Sequence, residues 1–437
     1  MMPLLAAAPP VAIPSWMLAP FAMLLLAMAL LPTLLPHFWE RHYAKVALAL
    51  GAVPALWLAL VAGDWHSLQH AAAEYTSFIA LIGSLFVISG GIQITVRGEA
   101  TPLRNAAFLA LGAVLSNLVG TTGASMLLIR PWISMNKYRI TGFHVVFFIF
   151  VVANCGGALT PIGDPPLFMG YLRGVPFGWM LEHAWAPWIA VNAMLIGLFL
   201  ILDWRNFKRA PKPVREEQTR QERFALRGWL QVVLLLGVLV CVFLPARLQE
   251  MRWLGILSVP AVAMSALALV AFKLTPPQRH EANDFSFGPL REVAWLFVGI
   301  FLTMIPALQT LQQSGLKFDA PLIAYFGAGS LSAFLDNAPT YLAFLASAMG
   351  SAGLNVDQPA EVLTFAQGQA PLLLAIALGA VFFGAGTYVG NGPNFMIKAI
   401  AEQHSVRTPT FLGYMLRFSL PILLPILALV GWWFLGR

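Results

Sequence analysis

The chain has 437 residues, of which 59% are hydrophobic and only 10% are charged. Soluble domains carry about 25% charged residues, so this composition excludes a soluble globular protein and indicates a polytopic membrane protein. The net charge of +7 does not indicate a nucleic-acid partner, because its location in loops explains it, and Cys155 and Cys241 provide neither a disulfide framework nor metal-ligand spacing.

Ten segments are predicted to cross the bilayer, because each is apolar over about the 20 residues that a spanning helix needs. In chain order they are 17–36, 44–62, 75–96, 142–171, 184–203, 229–246, 253–272, 292–311, 371–400 and 411–435. No Lys or Arg precedes the first segment, so we expect a retained helix there rather than a cleaved signal peptide. The fold class predicted is an all-α polytopic membrane protein.

Two further apolar segments, 105–130 and 320–350, are interrupted at their centres by small and polar residues. The interruptions read SNLVGTTGAS (116–125) and DNAPTYLAF (336–344). The halves on either side are too short to cross the membrane separately. Irregular backbone at membrane depth is tolerated only where protein buries it or where it lines a wet cavity. We therefore predict two re-entrant helical hairpins with polar tips at mid-membrane.

A basic stretch at 205–228 divides the chain into two parts, residues 1–204 and 229–437. Each part has five predicted spans with a hairpin between the third and the fourth. Five is an odd number, so the second part is inverted relative to the first, which is a plan common among secondary transporters. With the linker in the cytoplasm, 21 of the 26 Lys and Arg residues lie on the cytoplasmic side, as the positive-inside rule requires. We expect a bacterial-type inner (plasma) membrane location with both termini outside.

The predicted spans 142–171 and 371–400 are each broken by glycine and proline. The breaks read TPIGDPPLFM (160–169) and TYVGNGPNFM (387–396), and five of the ten positions are identical. The identical pairs are Thr160 and Thr387, Gly163 and Gly390, Pro166 and Pro393, Phe168 and Phe395, and Met169 and Met396. This self-similarity predicts an internal repeat with one broken helix in each part.

The hairpin tips align more loosely, with Ser116 and Asn117 opposite Asp336 and Asn337. In the broken helices, Asp164 aligns with Asn391. The repeat is therefore predicted to carry its charges asymmetrically.

Broken helices create a place for ligands, because glycine and proline interrupt the backbone hydrogen bonds. The carboxyl ends of half-helices attract cations, and their amino ends attract anions. We predict that both hairpin tips and both breaks meet at one ion or substrate site. Its candidate uncharged residues are Ser116, Asn117, Thr121, Thr122, Asn154, Thr160, Gly163, Asn337, Thr340, Thr387, Gly390 and Asn391.

Two carboxylates, Asp164 and Asp336, fall within these interruptions. A carboxylate inside a membrane is costly and is a functional hypothesis by default. Each side chain could ligate Na⁺, or carry a proton where burial disfavours its charge. Alternatively, each could cap a half-helix and only hold the broken geometry. The candidate Na⁺ ligands are Asn117, Asp164, Asp336 and Asn337, and we expect Na⁺ and H⁺ as transported or coupling ions without a resident cofactor.

Enzymatic motifs are missing from the sequence. There is no Walker A loop, no GxGxxG after a strand, no HExxH and no Ser-His-Asp arrangement. ATP-driven transport and membrane proteolysis therefore lack support, and we expect a protein that is not an enzyme.

Four stretches resemble the ion-transporter superfamily: SNLVGTTGASMLLIRP (116–131), NCGGALTPIGDPPLF (154–168), DNAPTYLAF (336–344) and GNGPNFM (390–396). The resemblance is closest to NhaD-type sodium/proton antiporters and to the citrate-transporter-like proteins grouped beside them, and it covers nearly the whole chain. It implies an inverted repeat with two re-entrant hairpins, and a homodimer with a scaffold and a moving transport domain. The expected partners are the lipid bilayer and a small ion or organic anion.

The sequence departs from the dicarboxylate transporters of this superfamily, which carry a Ser-Asn-Thr signature at both tips. Here Leu118 follows Ser116 and Asn117, and Asp336 stands where the second signature has serine. A fixed negative charge would repel a polyanion unless a cation intervenes. The sequence therefore favours a Na⁺/H⁺ antiporter, with a cation-coupled citrate or other organic-anion transporter as the alternative.

Overall fold

The structure is a computed structural model that describes residues 13–95, 100–209, 225–244, 248, 251–253, 255–283, 285–314, 318 and 320–436. Of the linker predicted at 205–228, residues 210–224 lie outside the described residues. The helices of the first part are α1 (Leu18–Leu34), α2 (Pro36–Trp57), α3 (Trp65–Gly90), α4 (Pro102–Met135), α5 (Gly142–Val151), α6 (Pro165–Arg173) and α7 (Trp179–Arg209). A 3-10 turn, Ser15–Met17, precedes α1, and a π-helical turn, Leu58–Ala62, extends α2.

The second part is built in the same way from helices. They are α8 (Trp229–Val242), α9 (Val259–Leu274), α10 (Pro277–Ala282), α11 (Gly288–Ser314), α12 (Pro321–Ser332), α13 (Asn337–Ser351), α14 (Pro359–Gly368), α15 (Ala370–Phe383), α16 (Gly392–Gln403), α17 (Phe411–Tyr414) and α18 (Leu424–Leu435). A π-helical turn, Met415–Leu423, joins α17 to α18.

Short antiparallel strands connect some of the helices. β1 (Gln93–Thr95) pairs with β2 (Ala225–Arg227), so the last residues of the linker lie beside the strand that follows α3. β3 (Arg252–Trp253) pairs with β4 (Leu257–Ser258) just before α9. The sequence did not predict these strands or α14.

Seven helices of the described chain are long and apolar enough to cross a membrane, or eight if the bent pair α14–α15 is one span. The axes of that pair differ by 101°. The apolar helices that begin at Gly142, Trp229 and Val259 are shorter. The predicted fold class, an all-α polytopic membrane protein, is confirmed.

Several helices begin where the sequence supplies a side-chain cap. Asp64 accepts a hydrogen bond from the Ser67 amide at the start of α3, and Thr101 accepts one from the Arg104 amide at the start of α4. Such caps satisfy amides that the first helical turn leaves unpaired. Proline at the first position of α4, α6 and α12 fits because its missing N–H is not needed there.

The helix α4 turns back on itself at Gly120, where φ is 77° and ψ is 155°. Its two ends meet, because the Asn105 and Asn136 amides donate hydrogen bonds to each other at 2.8 and 3.1 Å. In a straight helix, residues 31 positions apart would be separated by about 46 Å. The segment predicted as the hairpin 105–130 is therefore a helical hairpin over Pro102–Met135. In the second part, α12 and α13 pack together, with the Phe344 ring against Gly327.

Each predicted broken helix consists of two helices with irregular backbone between them. In the first, α5 ends at Val151 and α6 begins at Pro165; in the second, α15 ends at Phe383 and α16 begins at Gly392. The interruptions are thus longer than the Gly-Asp-Pro-Pro and Gly-Asn-Gly-Pro turns alone.

The same contacts join hairpin tip and helix break in both parts. The Thr160 hydroxyl donates to the Asn117 carbonyl, and the Thr387 hydroxyl donates to the Ala333 carbonyl, both at 2.6 Å. Each of these threonine hydroxyls also accepts the amide of the glycine three residues later, at 3.1 Å. The repeat seen in the sequence therefore corresponds to repeated hydrogen bonding, whereas the inverted orientation of the second part stays a prediction.

These contacts correct the predicted alignment of the tips. Ser116 donates to the Val152 carbonyl at 2.7 Å, and Ser332 donates to the Ala380 carbonyl at 2.5 Å. Ser116 is therefore equivalent to Ser332, and not to Asp336. The predicted alignment of Ser116 and Asn117 with Asp336 and Asn337 is wrong by four residues, about one helical turn.

The helices divide into two bundles that contact each other extensively where α11 packs on α13 and where α3 packs on α4. The first bundle consists of α1, α2, α3, α8, α9 and α11, and the second consists of the hairpins, the broken helices, α7, α14 and α18. Within the first bundle, Phe78 stacks on Phe297 at 4.4 Å, and Gly299 lets α11 approach Ala47 of α2 closely. The described residues 93–95 and 225–227 pair at the edge of this bundle.

A buried ionic network holds the first hairpin against its neighbours. Asp203 of α7 pairs with Arg139, lies 3.0 Å from the His144 Nε2 atom of α5, and accepts a hydrogen bond from Asn105 at 2.9 Å. The Asp203 side chain is fully buried. One carboxylate therefore joins both ends of α4 to α5 and α7.

We expect Asp203→Asn to destabilise the protein, because removing one partner of a buried ion pair leaves the other uncompensated, at a cost of about 3–5 kcal/mol. The measurement is the thermal unfolding midpoint in detergent, monitored by fluorescence-detection size-exclusion chromatography. The matched control is Glu402→Gln, which breaks an exposed pair with Lys398 worth about 0–1 kcal/mol. A wild-type midpoint in Asp203→Asn would contradict this role.

Candidate functional site

The side chain of Asp164 lies at the meeting point of the two parts of the chain and is fully buried. Its carboxylate accepts hydrogen bonds from the Thr121 hydroxyl at 2.7 Å, from the Asn391 amide at 3.2 Å and from the Asn337 amide. These donors come from the first hairpin, the second break and the second hairpin. Asp164 occupies the N-cap position of α6, but it binds these side chains rather than the amides of its own helix.

The second carboxylate, Asp336, is half-buried at the start of α13. Its side chain accepts a hydrogen bond from the Ala338 amide at 3.0 Å, so it caps this half-helix. Asp336 and Asn391 also line a cavity of about 510 Å³. Asp336 is thus both a cap and a carboxylate beside the cavity.

This cavity lies between the two bundles. It extends to Arg130 and Arg291, which the sequence places on the cytoplasmic side, and to Ser89 of α3. A much smaller cavity, of about 20 Å³, lies on another side of Asp164 and is lined by Thr122 and Gly163. The cavity lined by Asp336 therefore leads toward the predicted cytoplasmic face.

Three amide side chains link the two helix breaks. Asn154 donates to the Asn394 side-chain oxygen at 2.8 Å, and the Asn154 oxygen accepts from Asn391 at 3.1 Å. Asn394 in turn donates to the carbonyls of Gly384 and Thr387. Sequence reasoning missed Asn394, although it stands in the break GNGPNFM as a polar residue opposite Leu167 of the first repeat.

Other predicted site residues hold the irregular backbone instead of facing Asp164. Asn117 donates to the Gly156 carbonyl at 2.7 Å and accepts from the Leu159 amide at 2.8 Å. The Thr340 hydroxyl donates to the Asp336 backbone carbonyl at 2.9 Å. Ser116, Thr160 and Thr387 bind carbonyls, as described above. These residues position the site without contacting its central carboxylate.

The buried side-chain oxygen of Asn337 has no hydrogen-bond partner among the described residues, whereas the amide nitrogen of the same side chain binds Asp164. The asparagine side chain ends in an NH₂ donor and an oxygen acceptor, and rotation of the amide group by about 180° exchanges their positions. A rotated Asn337 would place an oxygen beside the carboxylate, which is an arrangement suited to a cation.

A multidentate metal centre is not seen in the described residues, which contain no group of three His, Cys, Asp or Glu side chains placed to hold a metal ion. What the site offers is one carboxylate surrounded by neutral amide and hydroxyl groups. This set can hold a monovalent cation or a proton.

Comparison with known proteins agrees with a transport role. A family model described as "Putative citrate transport" matches residues 11–435. A protein named Sodium/proton antiporter 1 from Arabidopsis thaliana is 28% identical over 72% of this chain. The chain spans 58% of the length of that relative.

Two further relatives are membrane proteins. A 46 kDa membrane protein from Mycobacterium leprae is 27% identical over 77% of each chain. An uncharacterized transporter from Synechocystis is 25% identical over 64% of this chain and 65% of its own length.

We expect Gly163→Ala to disrupt the first break, because the added Cβ would lie 2.0 Å from the Gly157 carbonyl oxygen. Overpacking of this kind costs about 1–3 kcal/mol. The matched control is Gly197→Ala in α7, where a Cβ meets nothing within 4 Å and the helix gains about 1 kcal/mol. The measurement is thermal unfolding in detergent, in which we expect a lower midpoint for Gly163→Ala but not for Gly197→Ala. Equal midpoints in the two variants would contradict the close contact between Gly163 and Gly157.

Proposed function

We propose that this chain, which belongs to the family described as "Putative citrate transport" and is a membrane transporter, exchanges Na⁺ for H⁺ by alternating access. The observation that carries this proposal is the fully buried carboxylate of Asp164, whose three side-chain donors are all neutral. The name of the Arabidopsis relative supports the same reaction.

The physical argument starts from the cost of a buried charge. An ionised carboxylate away from water is strongly disfavoured unless a cation pairs with it or a proton neutralises it. Thr121, Asn337 and Asn391 supply hydrogen bonds but no positive charge. Asp164 therefore binds either a cation or a proton, and mutually exclusive binding of the two is the simplest basis of antiport.

The Na⁺ shell proposed here is narrower than the shell predicted from the sequence. It contains Asp164, the Thr121 hydroxyl and the Asn337 side-chain oxygen after rotation of its amide. Asn117 binds the Gly156 carbonyl in the first break, so we assign it to holding the irregular backbone, whereas Thr340 binds the Asp336 carbonyl one turn earlier at the start of α13. Asp336 is proposed to pass cations and protons between the 510 Å³ cavity and Asp164.

The setting of the transporter is part of the proposal. We place it in a bacterial-type inner membrane with the central linker in the cytoplasm, as the distribution of basic residues indicates. Assembly into a homodimer is carried over from the superfamily resemblance.

The second candidate is a cation-coupled transporter of citrate or another organic anion. The observation that favours it is the 510 Å³ cavity, which is far larger than a Na⁺ ion needs and is lined by Arg130 and Arg291. Asp336 at the end of this cavity would repel a polyanion unless a cation accompanied it. The family description supports this candidate as well.

We expect Asp164→Asn and Asp336→Asn each to abolish exchange while the protein stays folded, because neither amide can bind a cation and a proton in turn. The measurement uses everted vesicles from an antiporter-deficient bacterium, with a quenched dye that reports the acidic interior. NaCl, LiCl and citrate are added in separate runs, and size-exclusion profiles verify folding.

Glu402→Gln is the control, because Glu402 lies on the surface end of α16 away from the site. Full activity in both aspartate variants would refute the antiport mechanism. Saturable citrate uptake driven by a cation gradient, with no Na⁺/H⁺ or Li⁺/H⁺ exchange in the absence of citrate, would assign the second candidate instead.

A further inference from the structure

We propose that Asn394 is a positioning residue that fixes, through Asn154, the direction in which the Asn391 amide faces Asp164. The proposal rests on the proposed function, since it concerns the ion site. Asn394 and Asn154 are fully buried, and Asn391 is 2% exposed. Asn394 does not contact Asp164, so it acts only through the other two amides.

The orientation of Asn394 is fixed by backbone groups. Its amide nitrogen lies 2.8 Å from the Gly384 carbonyl oxygen and 2.9 Å from the Thr387 carbonyl oxygen. Carbonyl oxygens only accept hydrogen bonds, so the nitrogen must face them. The side-chain oxygen of Asn394 is thereby turned toward the Asn154 nitrogen, 2.8 Å away.

The same reasoning fixes the next two amides. The Asn154 nitrogen also donates to the Ile149 carbonyl at 2.9 Å, so the Asn154 oxygen faces Asn391. The Asn391 nitrogen then donates to the Asn154 oxygen and the Ala153 carbonyl at 3.1 Å and to Asp164 at 3.2 Å. The carbonyls of Gly384 and Thr387, together with those of Ile149 and Ala153, thus determine which end of Asn391 points into the site.

This direction matters for the ion. An N–H group of Asn391 that faces Asp164 stabilises the ionised carboxylate to which Na⁺ binds. An amide oxygen in the same place would repel that carboxylate. Unlike Asn337, whose oxygen is free to rotate toward the cation, Asn391 is locked as a donor. Asn394 reinforces this donor orientation through Asn154, and thereby contributes to the competition between Na⁺ and H⁺ without contacting either ion.

The test is Asn394→Asp, which keeps the shape of the side chain but cannot donate to the two carbonyls. The expected result is a rise of about tenfold in the apparent KM for Na⁺, the size of one hydrogen bond to a charged group. The maximal rate should change much less, and the pH profile of exchange should be displaced. A purely structural role would lower the amount of folded protein and the maximal rate, with the KM and the pH profile unchanged.

The matched control is Asn192→Asp on α7, because Asn192 is also buried and also donates to a backbone carbonyl, that of Trp188 at 2.9 Å. If Asn394→Asp does not fold, Asn394→Ala removes both donated hydrogen bonds and also the oxygen that accepts from Asn154, without adding a carboxylate. A wild-type KM and pH profile in a folded variant would overturn the proposal. If the wild-type protein shows no response to cations, the proposed function is refuted. The KM for citrate of the same variants then tests whether the amides of Asn391, Asn154 and Asn394 position the site.

A second inference rests on a different observation, an ionic contact between the two bundles at the far end of α3. Arg173 ends α6, is 5% exposed and lies 2.8 Å from Glu74 of α3 through its Nε atom. Arg173 also donates to the other Glu74 oxygen at 3.0 Å and pairs with Asp357 after α13. We propose that Glu74, Arg173 and Asp357 form a gate that closes the face opposite the large cavity.

The helix α3 connects the two observations. Near its end, Phe86, Ser89 and Gly90 line the 510 Å³ cavity, whereas Glu74 lies about 24 Å away along the helix from Gly90. The interface between the bundles is therefore open at one end and joined by charges at the other. Buried ion pairs contribute little net stability compared with apolar packing, which suits a contact that must break in each cycle.

The test places a cysteine at Ile82, which lines the small cavity beside Asp164, and labels right-side-out vesicles with a membrane-impermeant maleimide. Slow labelling is expected in the intact gate, and labelling several-fold faster is expected in Glu74→Gln and Arg173→Gln. Glu402→Gln is the control, and the protein without Ile82→Cys reports labelling of Cys155 and Cys241. Equal rates in folded gate variants and in the control would overturn the gate.

Discussion

A single carboxylate buried among neutral side chains is the constraint on which the rest of this structure depends. The Asp164 side chain is fully shielded from water, and membrane lipid could not replace water in solvating its charge. Two hairpin tips and two broken helices are needed to bring three hydrogen-bond donors to it. The interruptions place Asp164 and Asn391 at the starts of half-helices, beside both hairpin tips.

The breaks persist because each is bonded to a hairpin tip. Thr160 and Thr387 bind tip carbonyls, and Gly163 and Gly390 approach the backbone of Gly157 and Gly384 so closely that a Cβ would collide. Glycine is used here for close approach of backbone segments. These contacts replace the helical hydrogen bonds that the breaks remove, and buried polar backbone must be paired in this way.

Much of this architecture follows from the sequence because its signals are local. Apolar length predicts spans, and glycine with proline predicts breaks, so the hairpins and broken helices were found within a few residues. The predicted alignment of the tips was wrong because it matched Asn117 with Asn337 by residue type. The equivalent positions are instead Ser116 and Ser332, whose hydroxyls donate to carbonyls near the starts of the two helix breaks. Asn394, Glu74 and Arg173 were missed for a similar reason: the side-chain partners named above are 99 to 240 positions away along the chain, and Glu74 and Arg173 lie at span ends, where charge is common.

All the groups that bind Asp164 belong to the second bundle, and the amides of Asn154, Asn391 and Asn394 join its two halves directly. Separating these halves to release an ion would therefore dismantle the site itself. A displacement of the whole second bundle along the first, in contrast, preserves every bond to the carboxylate while changing which solution it faces. In the proposed exchange, an ion bound at Asp164 would therefore travel together with the second bundle, and the contacts that must change would be those between the bundles.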